Sequence, residues 1–320
     1  MNHQQAWAVV LAGGDGTRLR SLTRLIAGED RPKQFCRLYG GRTLLAQTRS
    51  RLAPAISPER TVFSVVKAHE RFYAEELADV KSSRVVVQPS NKGTTAAIIS
   101  SLQRITSLAG DPIVGFFPTD HYYSREARFV TSVRLALQIA SSRLETIILL
   151  GAVAKHPEVE YGWIEPGTGL ECPLSDSLCR VRRFWEKPST QVAQALQARG
   201  CLWNTFVMIG RASVFLNILM AAAPGMLRAL GADGCQSETA RRPVDTDQAY
   251  AALTPGDFSR QVLSVSTGQL AVLPLGNVGW SDLGTPERVM FAMARYGLSS
   301  DRQEATQHEY LEDLAKTPVF

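Results

Sequence analysis

The stretch Gly13-Gly14-Asp15-Gly16-Thr17-Arg18 follows an apolar run, AWAVVLA, and Arg31-Pro32-Lys33-Gln34-Phe35 comes shortly after it. Glycines permit positive φ and let backbone N–H groups converge on an anion. Arg18 offers a planar fork suited to phosphate oxygens, and Lys33, stiffened by the preceding proline, adds a compact charge. Together they read as a phosphate loop at the end of a first strand; a plain β-turn with solvated charges is the alternative. Neither common phosphate motif is present. A GxGxxG fingerprint needs glycine where Leu19 stands, and a Walker A loop needs a GK[ST] ending.

Further along, Asp120 sits just beyond the apolar run 113–117, and Asp282 lies in a turn flanked by tryptophan and glycine. Mg²⁺ takes one or two carboxylates and completes its shell with water and substrate phosphate. Two such aspartates suit that ion, although either could instead cap a helix. His121 is read as structural. Gln88 ends a strand, and its amide can both donate and accept toward a base edge. Gly93 would let a flat ring approach closely, with Thr94 opening a helix; a capped helix start explains the same residues. Glu186-Lys187-Pro188 ends an alternating strand, as many surface strands end.

Elements that must position these residues follow from hydrophobic patterning. Runs at 6–11, 61–66, 84–88, 113–117 and 146–150 read as buried strands, and helical periods fall near 43–52, 69–80, 95–108 and 125–141. Such alternation implies a parallel sheet covered on both faces. The second half changes character. Antiparallel strands are expected at 161–166 and 180–188 around a Gly/Pro/Ser-rich loop, with further strands at 203–210, 261–265 and 269–274. Helices are expected near 191–199, 212–222, 245–253 and 286–296. The expected fold class is α/β: a Rossmann-like, mostly parallel sheet with helices on both faces and an inserted antiparallel lobe at about 155–260. One domain spans 1–298, and 299–320 forms a polar tail.

Composition narrows the function class. The 320 residues are 45% apolar and 20% charged, with a net charge of +5 and no dense Lys/Arg run, which argues against a nucleic-acid partner. Five scattered cysteines without CxxC point to reduced thiols in a cytoplasmic protein rather than a disulfide frame or zinc site. No signal-type segment and no run near 18 apolar residues occurs, so no membrane association is expected.

The segments LAGGDGTRL and RPKQF resemble the signature of sugar-1-phosphate nucleotidylyltransferases, and the PKQF form is similar to that of mannose-1-phosphate guanylyltransferases. The resemblance continues through QPSNKGTTAAI, FFPTDHYY, YGWIEPG, RFWEKPS, WNTFVMIG and VGWSDLGT, covering roughly residues 6 to 290. It implies the nucleotide-diphospho-sugar transferase fold and transfer of GMP from GTP to a sugar 1-phosphate, mannose 1-phosphate, with Mg²⁺ as cofactor. Arg18 and Lys33 would be catalytic. Leu11, Ala12, Gly13, Gly14, Gly16, Thr17, Gln88, Gly93 and Thr94 would bind the nucleotide. Tyr161, Gly162, Glu186, Lys187 and Asn204 would bind the sugar phosphate, and Asp120 and Asp282 the metal. On this length the isomerase domain that longer relatives append is expected to be absent, and a homodimer is compatible with the sequence.

The sequence departs from the family pattern at several points, and the change at 257–264 bears on the sugar end more than on the nucleotide end. WNTF departs slightly from the usual WNSG, and the stretch 257–264, DFSRQVLS, replaces an acidic DYAVME-like segment. Arg20 replaces a tryptophan, Asp15 a serine, and TTAAI replaces TAPAI. Two rivals stay open: a uridylyl- or thymidylyltransferase acting on glucose 1-phosphate, and a regulatory subunit that binds a nucleotide sugar without turning it over.

Overall fold

A computed structural model describes residues 6–232 and 246–296; Cys235 and the expected tail 299–320 lie outside the described residues. The strands are β1 (Trp7–Leu11), β2 (Thr61–Val66), β3 (Val85–Gln88), β4 (Ile113–Pro118), β5 (His121–Tyr123), β6 (Ile147–Val153), β7 (Gly162–Gly169), β8 (Cys179–Glu186), β9 (Leu202–Arg211), β10 (Leu270–Leu275) and β11 (Trp280–Asp282). The helices are α1 (Arg20–Ala27), α2 (Leu44–Leu52), α3 (Glu70–Glu76), α4 (Gly93–Ala109), α5 (Glu126–Ser142), α6 (Thr190–Ala198), α7 (Ala212–Ala222), α8 (Pro224–Ala229), α9 (Thr246–Ala252) and α10 (Pro286–Tyr296).

One nine-stranded sheet runs β3-β2-β1-β4-β9-β6-β10-β8-β7. Its first four strands are parallel. They read as unbroken apolar runs because both faces are covered: Ala8 and Val10 pack with Phe129, Val133 and Ala136 of α5, while Val9 and Val62 pack with Ala96, Ile98 and Phe215 of α4 and α7. The expected parallel pairing holds throughout this half and again between β6 and β10, but the rest of the sheet is antiparallel. β9 enters between β4 and β6, antiparallel to both, and β8 and β7 extend the far edge antiparallel. An apolar run declares burial on both faces but carries no information about which neighbour it pairs with.

A second expectation fails at 261–265. Ser259–Leu263 is a π-helical turn, not a strand. Gln261 N–H donates to Asp257 O and Arg260 N–H to Asp257 Oδ1, so Asp257 starts a turn that buries Val262 and Leu263 together. Alternating apolar residues in so short a run fit either conformation. No helix among the described residues is long and apolar enough to cross a membrane.

The turn is knitted to the start of α4. Thr95 N–H donates to Gly256 O (3.1 Å), Gly256 N–H to Lys92 O (2.9 Å) and Phe258 N–H to Thr94 Oγ1 (2.9 Å). Gly93 has φ +83°, and a Cβ there would fall 2.2 Å from Gly256 O. Gly93→Ala is therefore expected to destabilise by about 2–4 kcal/mol through left-handed strain plus a backbone clash. Thermal unfolding checks this, with Gly268→Ala, whose Cβ would meet open space, expected to unfold within a degree or so of the parent.

Candidate active site

β1 delivers the glycine loop to the carboxyl end of the parallel strands, where open α/β sheets bind ligands. Ala12 N–H donates to Ser64 O (2.8 Å), the last ladder bond before the chain departs. The loop backbone is then braced by the Gln34 side chain. Gln34, 2% exposed, donates from Nε2 to Ala12 O (2.9 Å) and Gly14 O (2.8 Å). Gly16, at φ +62°, lies so close that a Cβ would sit 3.2 Å from the Lys33 backbone nitrogen. This contact brings Lys33 against the loop, and its Nζ reaches Asp120 Oδ2 at 2.5 Å and Leu283 O at 3.5 Å.

Asp120 and Asp282 are far apart in sequence but neighbours in space. β5 and β11 form a two-stranded antiparallel ladder that pairs His121 with Asp282, and Leu283 N–H donates to Asp120 O (2.8 Å). Each carboxylate has its own cation. Arg288 grips Asp282 from Nη1 at 3.0 and 3.2 Å and reaches Glu158 from Nη2 at 2.9 Å. Tyr161 Oη donates to Asp282 Oδ1 at 2.5 Å. Burial would raise the Asp120 carboxyl, but the Lys33 ammonium and His121 outweigh it and hold Asp120 well below the usual carboxylate range. Burial, then the Asp282 carboxylate, push the Tyr161 phenol far up, so it stays a neutral donor. His121 is lowered by burial, only partly offset by the aspartates, which suits the structural role expected of it.

Among the described residues no group of three or more His, Cys, Asp or Glu could hold a metal ion. The protein offers two aspartates at one cavity instead. Hard oxygen ligands in that number fit Mg²⁺, which keeps several waters and takes substrate phosphate oxygens.

The other end of the cavity is built by β7, β8 and β9. Gly162 pairs with Glu186, and a Cβ at Gly162 would lie 2.9 Å from Glu186 Oε2 and 3.4 Å from Asn204 Cβ. Glycine here leaves the two polar side chains room to face a ligand. Burial, then the Asp257 carboxylate, raise Glu186 to about 7, against the pull of Lys187 and Arg260.

A cavity of about 420 Å³ joins both ends. Leu11, Gly13, Gly14, Lys33, Gln88, Gly93, Thr94, Asp120, Tyr161, Gly162, Glu186, Asn204 and Asp282 line it. Ala12, Gly16, Thr17, Arg18 and Lys187 do not. Ala12 is buried, and Gly16 lies against the Lys33 backbone. Arg18 is exposed and pairs with Glu160 at 3.2 Å; Thr17 is exposed beside it. Lys187 is exposed at φ +47°, its N–H donating to Tyr161 O. The Gln88 amide is partly engaged already, donating to Ser64 Oγ (3.1 Å) and accepting from Tyr250 Oη (3.4 Å). Sequence reasoning missed Gln34, Arg288 and Tyr250. Gln34 stood inside the RPKQF segment, where its amide between a charge and an aromatic was a usable signal; Arg288 and Tyr250 gave none locally.

Glu186 yields a pH prediction. Its folded pKa of about 7 exceeds the ordinary 4.5, so ionising it opposes folding. The opposition is absent below the unfolded pKa, grows as pH rises between the two values, and is complete above about 7. Glu186→Gln is expected to raise the unfolding temperature at pH 8, with the gain vanishing toward pH 4.5; parallel melts of both proteins across this range measure it.

The chain resembles known proteins over most of its length. The chain is similar to the xanthan biosynthesis protein XanB of Xanthomonas campestris pv. campestris, with 32% identity over 285 residues covering 87% of this chain and 57% of that protein. It is also similar to mannose-1-phosphate guanylyltransferase 2 of Escherichia coli O157:H7, 28% identical over 292 residues, covering 87% and 58%. The chain thus spans less than two thirds of the length of these curated relatives. Among solved structures, the mannose-1-phosphate geranyltransferase of Thermus thermophilus superimposes with a TM-score of 0.76 at 27% identity, covering 92% of this chain and 80% of that one. The family model described as nucleotidyl transferase matches residues 7–297, and the chain belongs to that family, with its α/β fold.

Proposed function

We propose that the protein transfers GMP from GTP to mannose 1-phosphate, giving GDP-mannose and pyrophosphate. The observation that carries this reading is a single cavity with a glycine loop, Lys33 and two aspartates at one end and Gly162, Glu186 and Asn204 at the other. That layout suits two phosphorylated substrates meeting in the middle. The parallel order β3-β2-β1-β4 supports a Rossmann-like nucleotide half. We take residues up to 298 as the transferase unit, with 155–260 supplying most of the sugar side.

The chemistry needs no deprotonating side chain, because the nucleophile is already an anion at neutral pH. A phosphate oxygen of mannose 1-phosphate attacks the α-phosphorus of GTP, the new P–O bond forms, and the bond to the β-phosphate bridge breaks with its electrons leaving on pyrophosphate. The barrier lies in bringing two polyanions together in line, so positioning and charge neutralisation supply the catalysis. Loop amides at Gly13 and Gly14 face the triphosphate. Lys33 exchanges Asp120 for a phosphate oxygen at the α-phosphorus. Arg18 exchanges Glu160 for the distal phosphates, and Lys187 meets the incoming phosphate from the rim. Gln88 and Thr94 hold the base, while Glu186 and Asn204 take sugar hydroxyls. Magnesium held by Asp120 and Asp282 would supply Lewis-acid neutralisation of phosphate oxygens. The unpaired cysteines among the described residues support a cytoplasmic setting.

Pyrophosphate release, measured for each nucleoside triphosphate against each hexose 1-phosphate, tests the reading; GTP with mannose 1-phosphate is expected to dominate. Turnover with UTP or dTTP and glucose 1-phosphate instead would move the chain to another member activity, and binding without turnover would make it a regulatory subunit. Lys33→Ala is expected to lower kcat by about a hundredfold or more, the scale of losing a transition-state donor. Near-normal turnover would remove Lys33 from the mechanism.

A further inference from the structure

Strand β9 is broken by a bulge at the cavity. Leu149 pairs with Met208 and Gly151 with Asn204, so residues 205–207 stand opposite Leu150 alone. Side chains satisfy the displaced backbone. Thr205, fully buried, donates from Oγ1 to Leu150 O (2.6 Å) and accepts from Val207 N–H (3.3 Å). Asn204 Oδ1 accepts from Phe206 N–H (3.0 Å). The result holds Phe206 at φ +56°, a conformation that favours glycine and that only Lys187 shares among the non-glycine described residues.

Bulges re-aim side chains, often beside active sites. Here Phe206 is half-buried and lines the cavity together with Asn204 and Glu186. Its ring packs edge-on against Phe258, with centroids 6.3 Å apart at 77°. Phe258 is fully buried and is tied to the start of α4 through Thr94. The aromatic wall therefore rests on a strand at one side and a buried, hydrogen-bonded turn at the other. Both supports fall in segments that depart from the family pattern, WNTF and DFSRQVLS, and the two departures touch.

The geometry points to Phe206 as a specificity-determining residue of the sugar end: a rigid apolar wall that accepts one face of a pyranose ring and offers no hydrogen bond to a hydroxyl aimed at it. This rests on the sugar-phosphate reading of the cavity. An aromatic face favours a patch of ring C–H groups and leaves an axial hydroxyl directed at it unpaired, so it separates epimers that Glu186 and Asn204 alone would not.

Calorimetric titration of the parent, Phe206→Gly and Phe206→Ala with mannose and glucose, each linked to GDP and to UDP, tests this. The parent is expected to prefer one hexose by about tenfold or more, and both variants to bring that ratio close to one, with affinity for free GDP unchanged. Phe206→Gly relieves the left-handed backbone and Phe206→Ala does not, so their unfolding temperatures are expected to diverge. A shared loss of discrimination then belongs to the missing ring and not to the backbone. Variants that keep the parent ratio, a parent without preference, failure to bind any of the four, or an equal fall in GDP affinity would each overturn the assignment. Base preference and turnover are read separately: discrimination without turnover sinks the transferase reading and leaves the wall standing.

Discussion

The ion pair between Lys33 and Asp120, 2.5 Å long and mostly shielded from solvent, is the constraint on which the site turns. The proposed reaction requires cations at hand in the cavity, yet a desolvated cation without a partner is costly. Lodging Lys33 on Asp120 solves both problems. In the proposed reaction an incoming phosphate would take over the ammonium and release the Asp120 carboxylate. Arg288 on Asp282 and Glu158 follows the same logic a few ångströms along the wall. Charge is balanced before a ligand arrives and can be balanced again afterwards, so the electrostatic field is set up in advance with little reorganisation.

That pair also explains the topology. Lys33 is placed by the return of the glycine loop, Asp120 by the junction of β4 and β5, and β5 is in turn fixed by β11 from the far end of the chain. Packing behind the ladder is aromatic: the Trp280 ring lies 5.3 Å from that of Tyr161 and 5.4 Å from that of His121. Tyr161 then carries the connection onward, from its hydroxyl on Asp282 to its backbone carbonyl under Lys187. The two ends of the cavity are thereby one mechanical unit.

How much of this could be read beforehand depended on whether the signal was local. β1, β2 and β4 were legible because residues buried on both faces leave no polar break, and Lys33 and Asp120 because each charge stands beside an apolar or glycine-rich segment; Gly162 came through the family resemblance alone. Sheet order was not legible: β9 looks as apolar as β4, and only the fold puts it between β4 and β6 in the opposite direction. Arg288 was invisible for a similar reason. It shares helix α10 with Arg295, nothing in composition separates the two, and its meaning comes from Asp282 across the ladder. The stretch 261–265 misled because its turn is specified by Asp257, outside the window that showed alternation.

Phe206 shows where locally inconsistent residues carry the most information. Holding a bulky residue in the left-handed region costs on the order of 1–3 kcal/mol, and such strain persists only where neighbours over-determine it. Thr205, Asn204 and Phe258 do so here; the two hydrogen-bonded contacts could be met without a phenyl ring at 206, whereas the Phe258 contact is made by the ring itself. A glycine would keep both hydrogen bonds and remove the strain. The backbone therefore gives no reason for the ring; its reasons are the edge-on contact with Phe258 and its place on the cavity wall. Glu186 reaches the same conclusion from charge, since burial near Asp257 makes its ionised form costly and so weakens the fold at neutral pH. Two unfavourable features on the walls of one end of one cavity, with both remedies a single substitution away, mark that end as shaped for a ligand and not for the fold.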